Sequence, residues 1–129
     1  MANFKFDHVH LRSPDPEATA AFYERMFGAE VIRSEQQGKP RIDVNLCGQM
    51  VFIARVGPDD SIADAPQQPH LGLEHLGLVV DQIDDVVAEL KGKGAEFTME
   101  PTTIRPGTRI AFLKGPQNVS IELVDRNAA

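Results

Sequence analysis

An internal repeat limits the possible folds of this chain more than any other feature of its sequence. Residues 28–31 (GAEV) recur as residues 94–97 (GAEF), at an offset of 66 residues, and Asp15 and Asp81 are separated by the same offset. Repetition of this kind indicates one supersecondary unit that is built twice. We therefore expect two halves with the same local structure.

A helical pattern precedes each copy of the repeat. The first pattern runs over residues 16–27, with Asp15 placed to cap the helix and proline at the first helical position. The second runs over residues 82–93, with Asp81 as the candidate cap. The glycine that opens each copy of the repeat is expected to end the helix in a left-handed conformation. The apolar stripe predicted for the first helix is Ala18, Phe22 and Met26.

Strand patterns surround both predicted helices. One strand precedes each helix, over residues 4–12 and 74–80. Three strands follow each helix, over residues 30–34, 41–46 and 49–56 in the first half and 96–100, 109–113 and 119–124 in the second. Both halves therefore read strand, helix, strand, strand, strand. We predict an α+β fold in which one domain (1–129) consists of module 1–56, linker 57–72 and module 73–129.

Composition excludes several classes of partner. The chain has 129 residues, 25% of them charged, and a formal net charge of −6 without a basic run, so we expect it to bind neither nucleic acid nor anionic membrane. Its single cysteine, Cys47, cannot form an internal disulfide, and we find no apolar stretch of signal-peptide length. We expect a cytoplasmic protein.

Polar residues share one face of several predicted strands. Because side chains alternate along a strand, His8 and His10 lie opposite the apolar residues of the first strand. Glu122 lies opposite the apolar residues of the last strand, and Arg41 and Asn45 share the polar face of a middle strand. Polar groups opposite a good apolar face indicate a lined cavity.

The repeat also aligns three possible metal ligands. His8 and His75 correspond at an offset of 67, and Glu122 corresponds to Ala54 at an offset of 68. If the two modules pair about a pseudo-twofold axis, the two imidazoles and the Glu122 carboxylate converge on one point. Such a facial triad suits one divalent metal ion (Zn, Ni, Co, Mn or Fe) and leaves coordination positions for substrate. Glu74 is left out of this set because the alternation directs it to the opposite face.

Four motifs in order resemble the vicinal-oxygen-chelate superfamily, which contains the glyoxalases, bleomycin resistance proteins and dioxygenases. They are residues 7–11 (DHVHL), residues 15–28 with their central AFY, residues 75–81 (HLGLVVD) and residues 121–123 (IEL). The resemblance covers nearly the whole chain. It implies paired βαβββ modules with curved mixed sheets that enclose a metal site, and it implies a homodimer.

The same resemblance leads to a hypothesis about activity. We expect a metal-dependent lyase or isomerase of the lactoylglutathione lyase or epimerase type, acting on a small oxygen-rich substrate through a bidentate metal-chelated enolate. Alanine at position 54 supplies no fourth protein ligand. Three-ligand sites resemble those of the extradiol Fe(II) dioxygenases and the fosfomycin-type thiol transferases of the superfamily, so both activities stay open. A bleomycin-resistance-type binding protein is the non-catalytic alternative.

Further residues are candidates for catalysis or substrate binding. His10 is the tentative acid–base residue and a substrate contact, while Glu122 takes part in catalysis as a metal ligand. Arg41 and Arg109, at an offset of 68, are candidates to clamp a carboxylate or phosphate of the substrate, and Asn45 is a further substrate contact. The competing interpretation is that both arginines face solvent or, for Arg41, that it pairs with Asp43.

Overall fold

The computed structural model describes residues 2–128. The chain divides into two compact units between Ile62 and Ala63. Each unit has one long helix and one four-stranded mixed sheet. The predicted α+β fold of two βαβββ modules is therefore confirmed. Among residues 2–128, no helix is both long enough and apolar enough to cross a membrane.

The first unit has its strands in the spatial order β1-β4-β3-β2. Its elements are β1 (Val9–Ser13), α1 (Pro16–Phe27), β2 (Glu30–Gln36), β3 (Lys39–Leu46) and β4 (Gln49–Arg55). β1 lies parallel to β4, and the other neighbours are antiparallel. The first strand was predicted over residues 4–12 but begins only at Val9, where pairing with β4 begins at Val51.

The second unit repeats this topology in the order β5-β8-β7-β6. Its elements are β5 (His75–Val79), α2 (Ile83–Gly92), β6 (Phe97–Arg105), β7 (Thr108–Lys114), a 3₁₀ turn (Pro116–Asn118) and β8 (Ser120–Asp125). β5 lies parallel to β8. β6 extends five residues beyond its predicted end at residue 100, because the strand continues past Pro101 with irregular register against β7.

The two helices begin in different ways. Asp15 caps α1 as predicted, because its carboxylate accepts the backbone N–H of Ala18 at 3.1 Å, and Gly28 ends the helix in the left-handed region at φ +69°. The predicted cap of α2, Asp81, is wrong. Gln82 precedes the first turn at φ +58°, and the backbone N–H of Ile83 donates to the Asp125 carboxylate of β8 at 3.2 Å.

One face of each sheet packs against the helix of its own unit. In the first unit the buried apolar residues are Ala20, Tyr23, Met26, Ile42, Val44, Leu46, Val51 and Ile53. In the second unit the buried apolar residues on the helix-covered face and on the helix are Ile83, Val87, Leu90, Ala111, Leu113, Ile121 and Leu123. The helix stripe predicted through Ala18 and Phe22 is displaced, since Thr19, Ala20 and Tyr23 are buried and Ala18 is exposed. The opposite face carries His10 and Asp43 in the first unit, whereas in the second it carries Glu122 beside the buried apolar Ile110 and Val124.

Candidate metal centre

Two histidines occupy matching positions in the two units. His8 directly precedes β1 and His75 is the first residue of β5. The Nδ1 atom of His8 lies 2.7 Å from Asp7 Oδ2, and the Nδ1 atom of His75 lies 2.7 Å from Glu74 Oε1. A carboxylate only accepts hydrogen bonds, so each of these contacts favours a proton on Nδ1, and a neutral imidazole in that form has its lone pair on Nε2. In that form Nε2 is the nitrogen able to bind a metal.

Glu122 lies beside His75 in the second unit. The parallel pairing of β5 with β8 sets Glu122 opposite Gly77, two residues beyond His75 on the same face. The Glu122 carboxylate reaches past Gly77 to His75, and its Oε1 lies 3.3 Å from His75 Nε2. The Phe112 ring packs edge-on against His75, with ring centroids 5.1 Å apart. The side chains of His75 and Glu122 are 36% and 20% exposed, so both remain accessible to a ligand.

Phe52 holds the corresponding place beside His8. The two rings stack, with centroids 3.9 Å apart and planes at 16°. Phe52 pairs with the residue two positions after His8, as Glu122 pairs with the residue two positions after His75. The structural equivalent of Glu122 is therefore Phe52, and the predicted equivalence with Ala54 is wrong. A shift of two residues keeps every side chain on the same face of a strand, so the alternation of the sequence does not detect it.

His10 lies on the same face as His8, and the two ring centroids are 6.0 Å apart. Burial lowers the pKa of His10 below its ordinary value. The neighbouring Arg12, His8 and Arg41 lower it further, and Asp43 acts in the opposite direction. A lowered pKa favours the neutral imidazole at pH 7, which is the form that accepts a proton.

Arg41 joins the same polar face. Its guanidinium carbon lies 4.4 Å from the centroid of the Phe52 ring, a cation–π contact. Its Nε donates to Asp43 at 2.8 Å, and a second nitrogen donates to the Gln36 side chain at 2.8 Å. The anticipated pairing of Arg41 with Asp43 is therefore present. A cleft of about 420 Å³ in the first unit is bordered by Arg41, Phe52 and His10.

Two other candidate substrate contacts lie elsewhere. The Asn45 side chain accepts the backbone N–H of Gly48 at 2.8 Å and so closes the turn between β3 and β4. Arg109 pairs across the sheet with Asp125, on the helix-covered face, and donates to Asp84 of α2 at 2.8 Å. The structure does not bring Arg109 to the face of His75 and Glu122. A second cleft, of about 520 Å³, lies on this helix side of the second unit.

The donor atoms fit a divalent metal. Metal bonds of about 2.0–2.2 Å place neighbouring donors on a common ion about 3.0–3.4 Å apart, and the separation between His75 Nε2 and Glu122 Oε1 is 3.3 Å. Neither unit by itself, within residues 2–128, gathers three His, Cys, Asp or Glu side chains in a metal-binding group. The second unit thus holds two of the three predicted donors, His75 and Glu122, and His8 belongs to the first unit.

Sequence reasoning missed the contacts of Asp7 and Glu74 with the adjacent histidines. Glu74 was predicted to point away from His75, but it lies just before β5 and its carboxylate is 2.7 Å from the Nδ1 atom of His75. A signal for both residues was present in the sequence. An acidic residue directly precedes a histidine in Asp7-His8 and again in Glu74-His75, at the same offset of 67 residues.

Several known proteins are similar to this chain in sequence. A probable lactoylglutathione lyase of Vibrio cholerae is 25% identical, over 100% of this chain and 96% of the relative. The mitochondrial methylmalonyl-CoA epimerase of Homo sapiens is 28% identical, over 97% of this chain and 74% of the relative. The chain spans only 35% of the length of a probable chloroplastic lactoylglutathione lyase of Arabidopsis thaliana.

A solved structure shares the fold. The crystal structure of a genomically encoded fosfomycin resistance protein from Listeria monocytogenes matches with a TM-score of 0.73, over 98% of this chain and 94% of that chain, at 19% identity. The sequence model of one superfamily matches residues 5–123, which is most of the chain. This protein belongs to the Glyoxalase/Bleomycin resistance protein/Dioxygenase superfamily.

Proposed function

We propose that this chain is a metal-dependent lyase or isomerase that moves a proton at a carbon next to a carbonyl in a small, oxygen-rich substrate. The observation that carries the proposal is the 3.3 Å distance between Glu122 Oε1 and His75 Nε2. The other ring nitrogen of His75, Nδ1, is in contact with the Glu74 carboxylate. Relatives named lactoylglutathione lyase and methylmalonyl-CoA epimerase support this class of reaction.

His8, His75 and Glu122 hold one divalent metal ion in this proposal. When bound, the ion supplies Lewis-acid stabilisation of the negative charge that develops on the substrate oxygens. The three side chains orient the substrate by leaving the remaining coordination positions open to it. Glu122 has the further effect of partly neutralising the positive charge of the centre.

The polar face of the first unit supplies the other functions. His10, neutral at pH 7, takes the proton from the reacting carbon and returns it to the neighbouring position. Arg41 contacts an anionic group of the substrate, and its side chain is held in place by Asp43 and by the Phe52 ring. Phe52 forms an apolar wall beside His8 that excludes water from the reacting carbon.

Metal content is the first test of this proposal. Elemental mass spectrometry of the purified protein should find about one divalent metal per chain. We expect His8→Ala and Glu122→Ala to lose it, since each removes a proposed ligand. His70→Ala is the matched control, because the His70 ring bonds only to the adjacent Leu71 carbonyl in this structure. Wild-type protein that takes up none of the five candidate metals would refute the proposal.

The reaction class needs a separate measurement. Metal-loaded protein should exchange solvent deuterium into a carbon next to the carbonyl of an α-hydroxy or α-keto compound, and His10→Gln should slow this exchange while keeping the metal. If the metal-loaded protein catalyses no exchange with any of these compounds, the lyase or isomerase activity is ruled out. The proposed metal site would be unaffected by that result.

We also propose that the protein acts as a cytoplasmic homodimer. Large apolar side chains are exposed at matching places before the two ligand histidines, with Phe4 and Phe6 at 92% and 76% and Leu71 and Leu73 at 98% and 77%. A second copy of the chain would cover these side chains. Sedimentation should find a dimer, and Phe6→Ser combined with Leu73→Ser should dissociate it. A monomeric wild-type protein would contradict this proposal.

An extradiol-type Fe(II) dioxygenase is the second candidate. The observation that favours it is Phe52, which occupies the place of a fourth ligand and leaves two histidines and one carboxylate, the donor set of non-haem iron oxygenases. Oxygen uptake by the iron-loaded protein with a catechol, without deuterium exchange into α-hydroxy compounds, would establish this activity in place of the first.

A further inference from the structure

We infer that Asp7 and Glu74 are positioning residues, which fix the tautomer and the ring orientation of His8 and His75 for metal binding. The inference rests on the proposed metal site and adds residues that touch neither the metal nor the substrate. It assigns a specific task to two side chains that lie just outside the proposed ligand set.

The geometry of the two pairs is the same although their surroundings differ. Each carboxylate lies 2.7 Å from the Nδ1 atom of the histidine that follows it. The acid is aspartate in one unit and glutamate in the other, and the side chains of Asp7 and Glu74 are 82% and 26% exposed. Two unlike acids in unlike environments thus make one contact at matching positions, which argues against an accident of local packing.

Chain geometry makes the contact less probable by chance. Successive side chains of an extended segment point to opposite sides. Asp7 and Glu74 lie just before β1 and β5, and each carboxylate nevertheless reaches the ring of the next residue. An exposed carboxylate gains little stability from such a contact, since surface ion pairs contribute about 0–1 kcal/mol at most. Since the stability gained is so small, we assign to each contact the orientation of the histidine ring.

The consequence for the metal follows from imidazole chemistry. A neutral imidazole carries one proton, and the nitrogen that holds it cannot bind a metal. By accepting a hydrogen bond from Nδ1, each carboxylate selects the form in which Nε2 has the lone pair. In the second unit this is the nitrogen that faces Glu122, at 3.3 Å. No carboxylate pairs in this way with the His10 ring among residues 2–128, so His10 serves as an internal comparison.

Metal affinity is the main test. We expect Asp7→Ala and Glu74→Ala to weaken Co(II) and Zn(II) binding about 10- to 100-fold in a chelator-competition titration. Asp7→Asn and Glu74→Gln keep an acceptor but lose the charge and should fall between alanine and wild type. Asp7→Glu, which restores the carboxylate, should recover most of the affinity. Glu89→Ala is the matched control, because it removes an exposed carboxylate on α2.

A second measurement needs neither metal nor activity. Long-range ¹H–¹⁵N NMR of the metal-free protein, above the titration range of histidine, distinguishes the two tautomers of each ring. His8 and His75 should carry the proton on Nδ1 in the wild-type protein and should shift toward the Nε2–H form in the alanine variants. The His10 signal should not change in either variant.

The outcomes separate this inference from the proposed function. Wild-type affinity in both alanine variants, with metal still lost in His8→Ala, would overturn the positioning role and leave the metal site intact. Predominantly Nε2–H tautomers at His8 and His75 in the wild-type protein would also overturn it. Failure of the wild-type protein to bind any metal would instead refute the proposed function, and the positioning role would fall with it.

Discussion

Asp125 is expected to contribute more to stability than any other carboxylate at the start of α2. Its side chain is only 3% exposed, and its two oxygens accept the backbone N–H groups of Ile83, at 3.2 Å, and of Asn127, at 2.9 Å. It thereby caps a helix from a strand 42 residues further along the chain. Asp81, two residues before the helix in sequence, has a 3.5 Å contact with the Asn127 side chain.

The loss of stability in Asp125→Ala can be worked out from the hydrogen bonds that the substitution removes. Loss of a helix cap costs about 0.5–2 kcal/mol. The N–H of Ile83 lies in a residue that is 1% exposed, and leaving a buried donor without a partner costs about 1–3 kcal/mol. These two costs describe partly the same bond, so we expect the free energy of unfolding to fall by about 2–4 kcal/mol. Asp125→Asn keeps one acceptor and should lose about half as much. Asp81→Ala, a surface change, should lose less than about 0.5 kcal/mol.

Hydrogen exchange read by mass spectrometry is the suitable assay, because it resolves α2 from α1. All variants are compared free of metal, since a bound ion stabilises the folded state by mass action. In Asp125→Ala the amides of α2 and β8 should lose protection, while those of α1 should not. Equal effects of Asp125→Ala and Asp81→Ala, or a larger effect of the latter, would refute the tertiary cap.

Three further predictions concern the site and the core. Phe52→Glu should tighten metal binding in a competition titration, whereas Ala54→Glu should not, because strand register aligns Phe52 with Glu122; the reverse order would contradict this register. Tyr23→Phe should raise the free energy of urea unfolding by about 1–2 kcal/mol, because the Tyr23 hydroxyl is buried without a partner in the described structure; a loss of stability would show that the hydroxyl is bonded. Zinc at about 100 times its dissociation constant should raise the free energy of unfolding by about 2.7 kcal/mol, and EDTA should reverse the effect; no change would argue against a site formed on folding.

Local rules in the sequence were sufficient for one helix and for the choice of strand faces. α1 runs from Pro16 to Phe27 as predicted, because its cap, its first residue and its terminal glycine all act within a few residues of the helix. The alternation of apolar and polar residues likewise placed His10 and Arg41 on the face away from the helix. The repeat indicated two βαβββ modules, because the same order of predicted strands and helix occurs in both halves of the chain.

The matching positions of His8 and His75 were also accessible from the sequence, because the repeat offset aligns them without any knowledge of packing. Their hydrogen-bond partners were not predicted, although the acidic residue before each histidine was a visible signal. Chain position gave Glu74 the opposite face, but side-chain rotation brings its carboxylate to the His75 ring. The alternation of residues along a strand predicts the direction of each Cα–Cβ bond. It does not predict the position of the last atoms of a long side chain.

Pairing between distant strands determined the remaining features. The equivalence of Phe52 with Glu122 depends on how β1 and β5 pair with β4 and β8, and an even shift of register leaves every sequence pattern unchanged. The cap of α2 comes from Asp125 rather than Asp81, and Arg109 pairs with Asp84 across the helix-covered face of its sheet. Sequence alone determined which elements form and which faces are polar, because these depend on neighbours along the chain. The tertiary structure determined which residues meet, because that depends on strand register.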